Sequence, residues 1–159
     1  ALLSEKLWAP LGAGDAYVWL DAPGGMARTS GSLFARPEDW LRFGVMLKDG
    51  GVFAGKRIVP TAWIDTMTAP SAANASYGLQ IWRATPFEKQ RWYTAAKDGP
   101  FVPSAEPWLD PDMFFFDGFG GQRVYISRAH DLVIARLGRA RIDWDDTALP
   151  NAVIRAMTR

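Results

Sequence analysis

The chain has 159 residues, of which 48% are hydrophobic and 22% charged, a composition typical of one globular domain or a large part of one. Its 18 Lys and Arg residues nearly balance 17 Asp and Glu residues, and no run of one sign stands out, so we expect no nucleic-acid partner. The absence of cysteine excludes disulfides and thiolate metal sites, and no apolar stretch approaches the roughly 18 residues that span a bilayer.

The first part of the chain predicts a helix end followed by loops. Leu2, Leu3 and Leu7 have near-helical spacing, and the pattern stops at Pro10-Leu11-Gly12. Residues 12 to 34 are rich in Gly, Ala and Ser, which predicts loops with one short strand at residues 17 to 20.

Two amphipathic helices come next. Pro37 suits a first helical turn, and the apolar face that follows ends at Gly50-Gly51. A second helix begins at Pro60 and stops before Pro70. Because both helices are amphipathic, we expect each to cover another layer of the protein.

After Ser71 the pattern changes to short runs of β-branched and aromatic residues. The predicted strands are Tyr77 to Trp82, Gln90 to Thr94, Met113 to Asp117, Gln122 to Ser127 and Leu132 to Leu137. The last two flank a four-residue loop of common hairpin length. Asp145 or Asp146 then caps a closing helix that runs to Met157.

The densest signal is the run FFFDGFGGQRVYI at residues 114 to 126. Its glycines, Gly118, Gly120 and Gly121, indicate a backbone with positive φ or a place where another group comes close. One interpretation is a glycine-rich bulge between two strands. The other is a strand edge that presents a backbone N–H to a developing oxyanion, where a side chain would block the substrate. The residues alone leave both open.

Other candidate groups favour structural roles. His130, the only histidine, stands in the predicted hairpin loop without a second His or a Cys to complete a zinc site. Carboxylates that would suit calcium occur in two clusters: Asp110 with Asp112, and Asp143 with Asp145 and Asp146. Neither cluster has EF-hand spacing, so we expect no metal or other cofactor.

The aromatic residues admit a second class of function. Eight tryptophans, among them Trp82, Trp92 and Trp108, would suit a self-sufficient module that binds a glycan or peptide without chemistry. Packing in the core and along a cleft explains them more simply. The binding-module interpretation predicts a closed core and tryptophans on one flat face.

Read together, ordered blocks of the sequence resemble the C-terminal part of the β-lactamase-like serine hydrolases. The blocks are LWAPLGAGDA, PGGMARTSGSLFARPEDWLRFGVMLKDGGVFAGKRIVP with TAWIDTM, YGLQIW, and DGFGGQRVYISRAHDLVIARLG. That family includes class C β-lactamases, penicillin-binding D-Ala-D-Ala peptidases, family VIII esterases and nylon-oligomer hydrolases. No single block is very specific, but their order and spacing match over nearly all of the chain.

The resemblance implies a site built from three motifs, of which only the third is found here. Phe119-Gly120-Gly121 resembles the Trp-Gly-Gly form of that motif, with Gln122 as the backbone oxyanion donor. A shift of one residue, with Gly118-Phe119-Gly120 as the triplet and Gly121 as the donor, stays open. The implied catalytic residues are therefore Gln122 and Gly121, and the implied substrate-binding residues are Phe119, Gly120 and Gly118. Because the Lys or His of other forms is absent, the resemblance favours ester or amide hydrolysis over strong β-lactamase activity.

The first two motifs are expected in a missing N-terminal part. No serine in the chain has a lysine three residues later, as Ser-x-x-Lys requires. Tyr125-Ile126-Ser127 fits the Tyr-x-Ser motif on paper, but it follows the third motif and reads as ordinary strand. We therefore expect residues 1–159 to be a partial domain that is inactive alone. The resemblance implies a bacterial protein of the periplasm or the cytoplasm, and the residues do not decide between these compartments.

The implied fold is α+β, the C-terminal portion of a β-lactamase/transpeptidase-like fold. It combines antiparallel strands with a packed C-terminal helix and the preceding amphipathic helices. In that fold the two ends of the chain share one sheet, so the edge beside Leu132 to Leu137 should lack its neighbour. The expected partners are the missing N-terminal part, a small ester or amide substrate, and a second copy through the open edge.

Overall fold

A computed structural model of the chain describes residues 2–28 and 31–158. Thr29 and Ser30, in the predicted loop, lie outside the described residues. After a π-helical turn at Ser4–Trp8, the described helices are α1 (Pro37–Lys48), α2 (Thr61–Thr68) and α3 (Ala148–Met157). The helix end and all three predicted helices are confirmed.

Ten strands fall within the same residues. They are β1 (Tyr17–Val18), β2 (Leu33–Phe34), β3 (Val52–Phe53), β4 (Lys56–Arg57), β5 (Trp82–Arg83), β6 (Gln90–Trp92), β7 (Phe101–Pro103), β8 (Phe114–Gly118), β9 (Gln122–Ser127) and β10 (Leu132–Arg136). Three antiparallel pairs, β1 with β2, β3 with β4 and β6 with β7, form small separate sheets. The predicted bounds are right for β9 and nearly right for β8 and β10.

The strand predicted at Tyr77 to Trp82 is wrong. Tyr77 and Trp82 bridge each other across a tight turn, in which the Gly78 N–H donates to the Ile81 carbonyl at 2.8 Å. Gln80 has φ +59° inside this turn, a conformation that a strand cannot contain. Regular structure resumes only at β5.

The central sheet is antiparallel, with strand order β10-β9-β8-β5. β9 lies in the middle, and its residues from Arg123 to Ser127 are buried. β10 is the outer strand, and no strand of the described residues pairs with its far side. The open edge predicted beside Leu132 to Leu137 is therefore present.

The sheet separates two cores, as expected for an α+β fold with helices on both faces. The first core, on the α1 and α2 side, comprises Leu11, Met46, Leu47, Ile64, Ile81, Phe114, Val124 and Ile126. The second core, on the α3 side, comprises Trp82, Ala84, Met113, Phe115, Tyr125 and Ile154. Alternate residues of β8 and β9 thus point into different cores, as the pleat of a strand requires.

The N-cap of the closing helix is Thr147, so the cap predicted at Asp145 or Asp146 is wrong, although Asp145 still accepts hydrogen bonds from the start of the helix. The Asp145 Oδ1 accepts hydrogen bonds from the backbone N–H groups of Thr147, at 2.8 Å, and Ala148, at 3.0 Å. Asp146, the other candidate, points instead into the interior. None of the helices in residues 2–28 and 31–158 is long and apolar enough to cross a membrane.

A leucine at Gly44 should destabilise the protein, because α1 lies close to the sheet there. A Cβ added to Gly44 would come within 2.6 Å of Val133 Cγ1 and 3.2 Å of Val124 Cγ1. We expect Gly44→Leu to lower the free energy of unfolding by about 1–3 kcal/mol through overpacking. Urea denaturation checks this, with Glu38→Leu on the exposed face of α1 as the control. Equal midpoints for the two variants would contradict the packing described.

Candidate active site

The five residues predicted for the site lie together in one β-hairpin, Gly118–Gln122. β8 ends at Gly118 and β9 begins at Gln122, and these two residues pair across the strands. Phe119, Gly120 and Gly121 form the turn, in which Gly120 has φ +72° and Gly121 has φ +80°. Positive φ at two successive positions is readily adopted only by glycine.

A second constraint on the turn is the chain that passes beside it. A Cβ on Gly120 would lie 2.7 Å from the Cβ of Ala140, and a Cβ on Gly121 would lie 2.9 Å from the Cβ of Trp144. Both physical reasons that the sequence offered for these glycines, positive φ and close approach, therefore apply. The glycines are required for the shape of the turn, whatever else its backbone does.

Phe119 lies at the tip of the hairpin and is 90% exposed. Exposure of a large apolar ring costs solvation free energy, and here neighbouring side chains leave it uncovered. The ring is therefore available to contact a ligand or another polypeptide.

The side chain of Gln122 is used to hold the hairpin. Its Nε2 donates to the Gly138 carbonyl at 2.9 Å, and its Oε1 accepts from the Gly138 N–H at 2.8 Å. This reciprocal pair fastens the start of β9 to the segment that follows β10. Any role of Gln122 in chemistry is then left to its backbone.

Beneath the hairpin lies a closed ring of four charged side chains, which the sequence did not predict. Arg91 donates to Asp146 at 2.7 Å and to Asp117 at 2.5 Å, and Arg123 donates to the same two carboxylates at 2.8 and 2.5 Å. All four side chains are almost fully buried. We call this arrangement the ion-pair ring.

Aromatic rings complete the surroundings of Arg91. Its guanidinium carbon lies 4.0 Å from the centre of the Trp82 ring and 5.2 Å from that of Tyr93, while its Nη1 has no hydrogen-bond partner among residues 2–28 and 31–158. Burial alone would lower the pKa of Arg91, but Asp146 and Asp117 raise it overall. Arg91 therefore stays charged at any physiological pH.

Tyr93 lies outside the ion-pair ring and contacts it. Its hydroxyl donates to Asp117 at 2.8 Å, and burial, together with the negative Asp117, raises the pKa of Tyr93. Neither Arg91 nor Tyr93 can thus exchange a proton readily near neutral pH. The ion-pair ring can hold the hairpin in place, but it is poorly suited to acid–base catalysis.

Tyr125 and Ser127 are buried within β9, as the strand interpretation predicts. The Tyr125 hydroxyl accepts a hydrogen bond from Trp144 Nε1 at 2.9 Å, and burial strongly raises the pKa of Tyr125. Ser127 donates to Asp110. His130 lies in the turn after β9, where its backbone N–H donates to Ser127 at 3.1 Å. These groups hold the turn and the second core together.

The three tryptophans that suggested a stacking platform each pack against different aromatic rings. Trp82 contacts Tyr77 and Tyr93, and Trp92 contacts Phe101. Trp108 stacks on Phe115 at 5.2 Å. Trp82 is buried and the other two are half-buried.

Two cavities of the described residues lie away from the hairpin. Their volumes are about 180 and 350 Å³, and none of the five predicted site residues lines either one. No group of three or more His, Asp or Glu side chains in residues 2–28 and 31–158 is placed to hold a metal ion.

Comparison with known proteins identifies relatives, although no family model matches the chain. The chain is 34% identical over 118 residues to a 6-aminohexanoate-dimer hydrolase of Paenarthrobacter ureafaciens. The aligned part is 69% of this chain and 30% of the relative, so the chain spans about a third of that protein's length.

Solved structures share the fold over nearly the whole chain. A candidate β-lactamase from Bacteroides dorei matches with TM-score 0.66 and 18% identity, over 99% of this chain and 51% of its own length. A candidate 6-aminohexanoate-dimer hydrolase from Bacillus anthracis matches with TM-score 0.60 and 21% identity, over 98% of this chain and 36% of its own. The predicted β-lactamase/transpeptidase-like fold is thus confirmed.

Breaking the ion-pair ring should destabilise the chain strongly. Asp146→Asn leaves two buried arginines facing a single carboxylate, and we expect a loss of about 3 kcal/mol or more of unfolding free energy. Urea denaturation followed by tryptophan fluorescence measures this loss. Asp143→Asn, which removes an exposed partner of Arg141, is the control and should change little. A similar midpoint for both variants would show that the ring does not hold the fold together.

Proposed function

We propose that the chain forms the C-terminal part of an acyl-serine hydrolase domain of the β-lactamase-like family. The observation that carries the proposal is the Gly118–Gln122 hairpin, which ends a central strand in a glycine turn with positive φ at Gly120 and Gly121 and an exposed Phe119 at its tip. Its sequence relative is named as a 6-aminohexanoate-dimer hydrolase, which supports a hydrolytic reaction here. The nucleophile would be contributed by residues outside this chain.

The reaction would proceed by attack of a serine Oγ on the carbonyl carbon of an amide or ester. The carbonyl oxygen becomes an oxyanion, for which the N–H of Gln122 or of Gly121 is the donor from this chain. The amine or alcohol leaves with a proton, and water then releases the acid from the acyl-serine. No side chain of the hairpin gives or takes a proton in this scheme.

The substrate we propose is a short linear amide or ester. The relatives include proteins named for the dimer of 6-aminohexanoate. Two amino acids of this kind join through a secondary amide. The hairpin has Phe and Gly where other members of the family have Lys or His, so it lacks a cation to hold a substrate carboxylate. An apolar wall at Phe119 suits a methylene chain beside the cleaved bond.

The remaining walls of the substrate cleft would come from outside the chain. Neither of the two cavities described above includes a hairpin residue, and β10 offers an open edge on the same sheet. We propose that the part of the domain with Ser-x-x-Lys covers this edge and completes the cleft. Pairing between two copies of this chain is the competing use of the edge.

The isolated chain should be catalytically inert. We expect no hydrolysis of p-nitrophenyl esters, nitrocefin or the linear dimer of 6-aminohexanoate, and no labelling by a fluorophosphonate probe. Co-expression with the polypeptide that precedes it in its reading frame should restore both turnover and labelling, with the adduct on that polypeptide. Intact-mass analysis locates the adduct. A covalent adduct on any serine of this chain would overturn the proposal.

Phe119→Ala should impair substrate binding without affecting folding. Because the ring is almost fully exposed, we expect an unchanged melting temperature, whereas KM for the linear amide in the co-expressed enzyme should rise about tenfold through lost apolar contact. Met157→Ala, an exposed apolar residue at the end of α3, is the control and should leave KM unchanged. An unchanged KM in Phe119→Ala would remove Phe119 from the site.

A further inference from the structure

Arg136, at the end of β10, reaches across to the turn of the hairpin. Its Nη1 donates to the carbonyl oxygens of Gly120 at 3.3 Å and Gly121 at 3.1 Å. Its Nη2 donates to the Arg139 carbonyl at 3.0 Å. One guanidinium nitrogen thus holds two successive carbonyls of the turn.

These two carbonyls belong to the peptide units that contain the candidate oxyanion donors. The Gly120 carbonyl shares its peptide unit with the Gly121 N–H, and the Gly121 carbonyl shares its unit with the Gln122 N–H. In a trans peptide the C=O and N–H point in opposite directions. Fixing both carbonyls on Arg136 therefore directs both N–H groups to the side away from the guanidinium.

We propose that Arg136 is a positioning residue that orients the Gly121 and Gln122 N–H groups toward the reacting carbonyl. This inference rests on the proposed function, whose donors it explains in either register of the third motif. A hydrogen bond from a cation to a carbonyl also polarises its peptide unit, which makes the N–H of that unit a stronger donor.

The surroundings of Arg136 hold its guanidinium in place, and no carboxylate of the described residues neutralises its charge. Its guanidinium lies 4.4 Å from the centre of the Trp144 ring. The backbone N–H of Arg141 supports the Gly120 carbonyl at 2.8 Å. Unlike Arg123, its cross-strand neighbour, Arg136 forms no ion pair with a carboxylate of the described residues.

The test compares two substitutions of Arg136 with one control. Arg136→Met removes the donors and the charge at similar length, and Arg136→Lys restores one cationic donor. Arg139→Met removes an exposed neighbouring charge whose side chain does not contact the hairpin. Each variant is co-expressed with the preceding polypeptide for kinetics on the linear amide, and each isolated chain is studied by ¹⁵N NMR with amide hydrogen exchange.

We expect Arg136→Met to lower kcat by about tenfold to a hundredfold with KM within twofold, since the donors act on the transition state. Arg136→Lys should recover part of kcat, and Arg139→Met should match the wild type. In the isolated chain, Arg136→Met should shift the Gly121 and Gln122 amide resonances and accelerate their exchange.

The two measurements separate failure of this inference from failure of the proposed function. If the co-expressed wild-type enzyme shows no turnover, the proposed function fails, and the amide resonances alone decide whether Arg136 orients the turn. If the Gly121 and Gln122 resonances are the same in Arg136→Met and wild type, the inference is overturned. An unchanged kcat in Arg136→Met would overturn it as well.

Discussion

The buried ion-pair ring is the interaction on which the rest of the structure depends. Its members come from β6, from the β8–β9 hairpin and from the residues just before α3, so it joins three segments that are far apart in sequence. Removing charges from water costs several kcal/mol per ion, and this is offset only when every partner is present. The main effect of the ion-pair ring is therefore to select one arrangement of these segments. Its net contribution to the free energy of unfolding is smaller.

Both arginines of the hairpin region act on backbone carbonyls. Arg123, neutralised by the ring, also donates to the carbonyls of Gly118 at 3.2 Å and Gln122 at 2.9 Å, at the base of the turn. Arg136 does the same for the two carbonyls within the turn. A glycine turn is flexible by itself, so cationic donors on both sides are what give it one conformation. In the proposed scheme, these charged side chains would set the direction of N–H groups and take no part in proton transfer.

The sequence predicted most of what depends on local pattern. Apolar residues at helical spacing, with proline or glycine at the ends, located the helices. Alternation of apolar and polar residues located β8, β9 and β10. Strands β2, β3, β4 and β7 were missed because two or three residues carry no period that can be recognised. The turn at Gln80 was read as strand because its positive φ leaves no trace in an apolar run.

The candidate site divides in the same way. Glycine at three nearby positions indicates an unusual backbone conformation, so the hairpin could be located from the sequence. The ion-pair ring could not, because Arg91 contacts Asp146 across 55 positions, a separation that no periodicity encodes. Arg136 reads as an ordinary residue of a strand, and only the approach of β10 to the turn gives it a role.

The position of Arg136 also connects the hairpin to the open edge of the sheet. β10 pairs with β9 on one side only, so its backbone at Arg136 is held by half the hydrogen bonds of an inner strand. A strand added at this edge would restrict β10 further and, through the Arg136 guanidinium, the peptide units of the turn. The polypeptide that covers the edge would then contribute more than a nucleophile, because the same contact would also rigidify the oxyanion donors on the other side of β10. Under the proposed function, such coupling would give a physical reason for the two parts to act only as one domain.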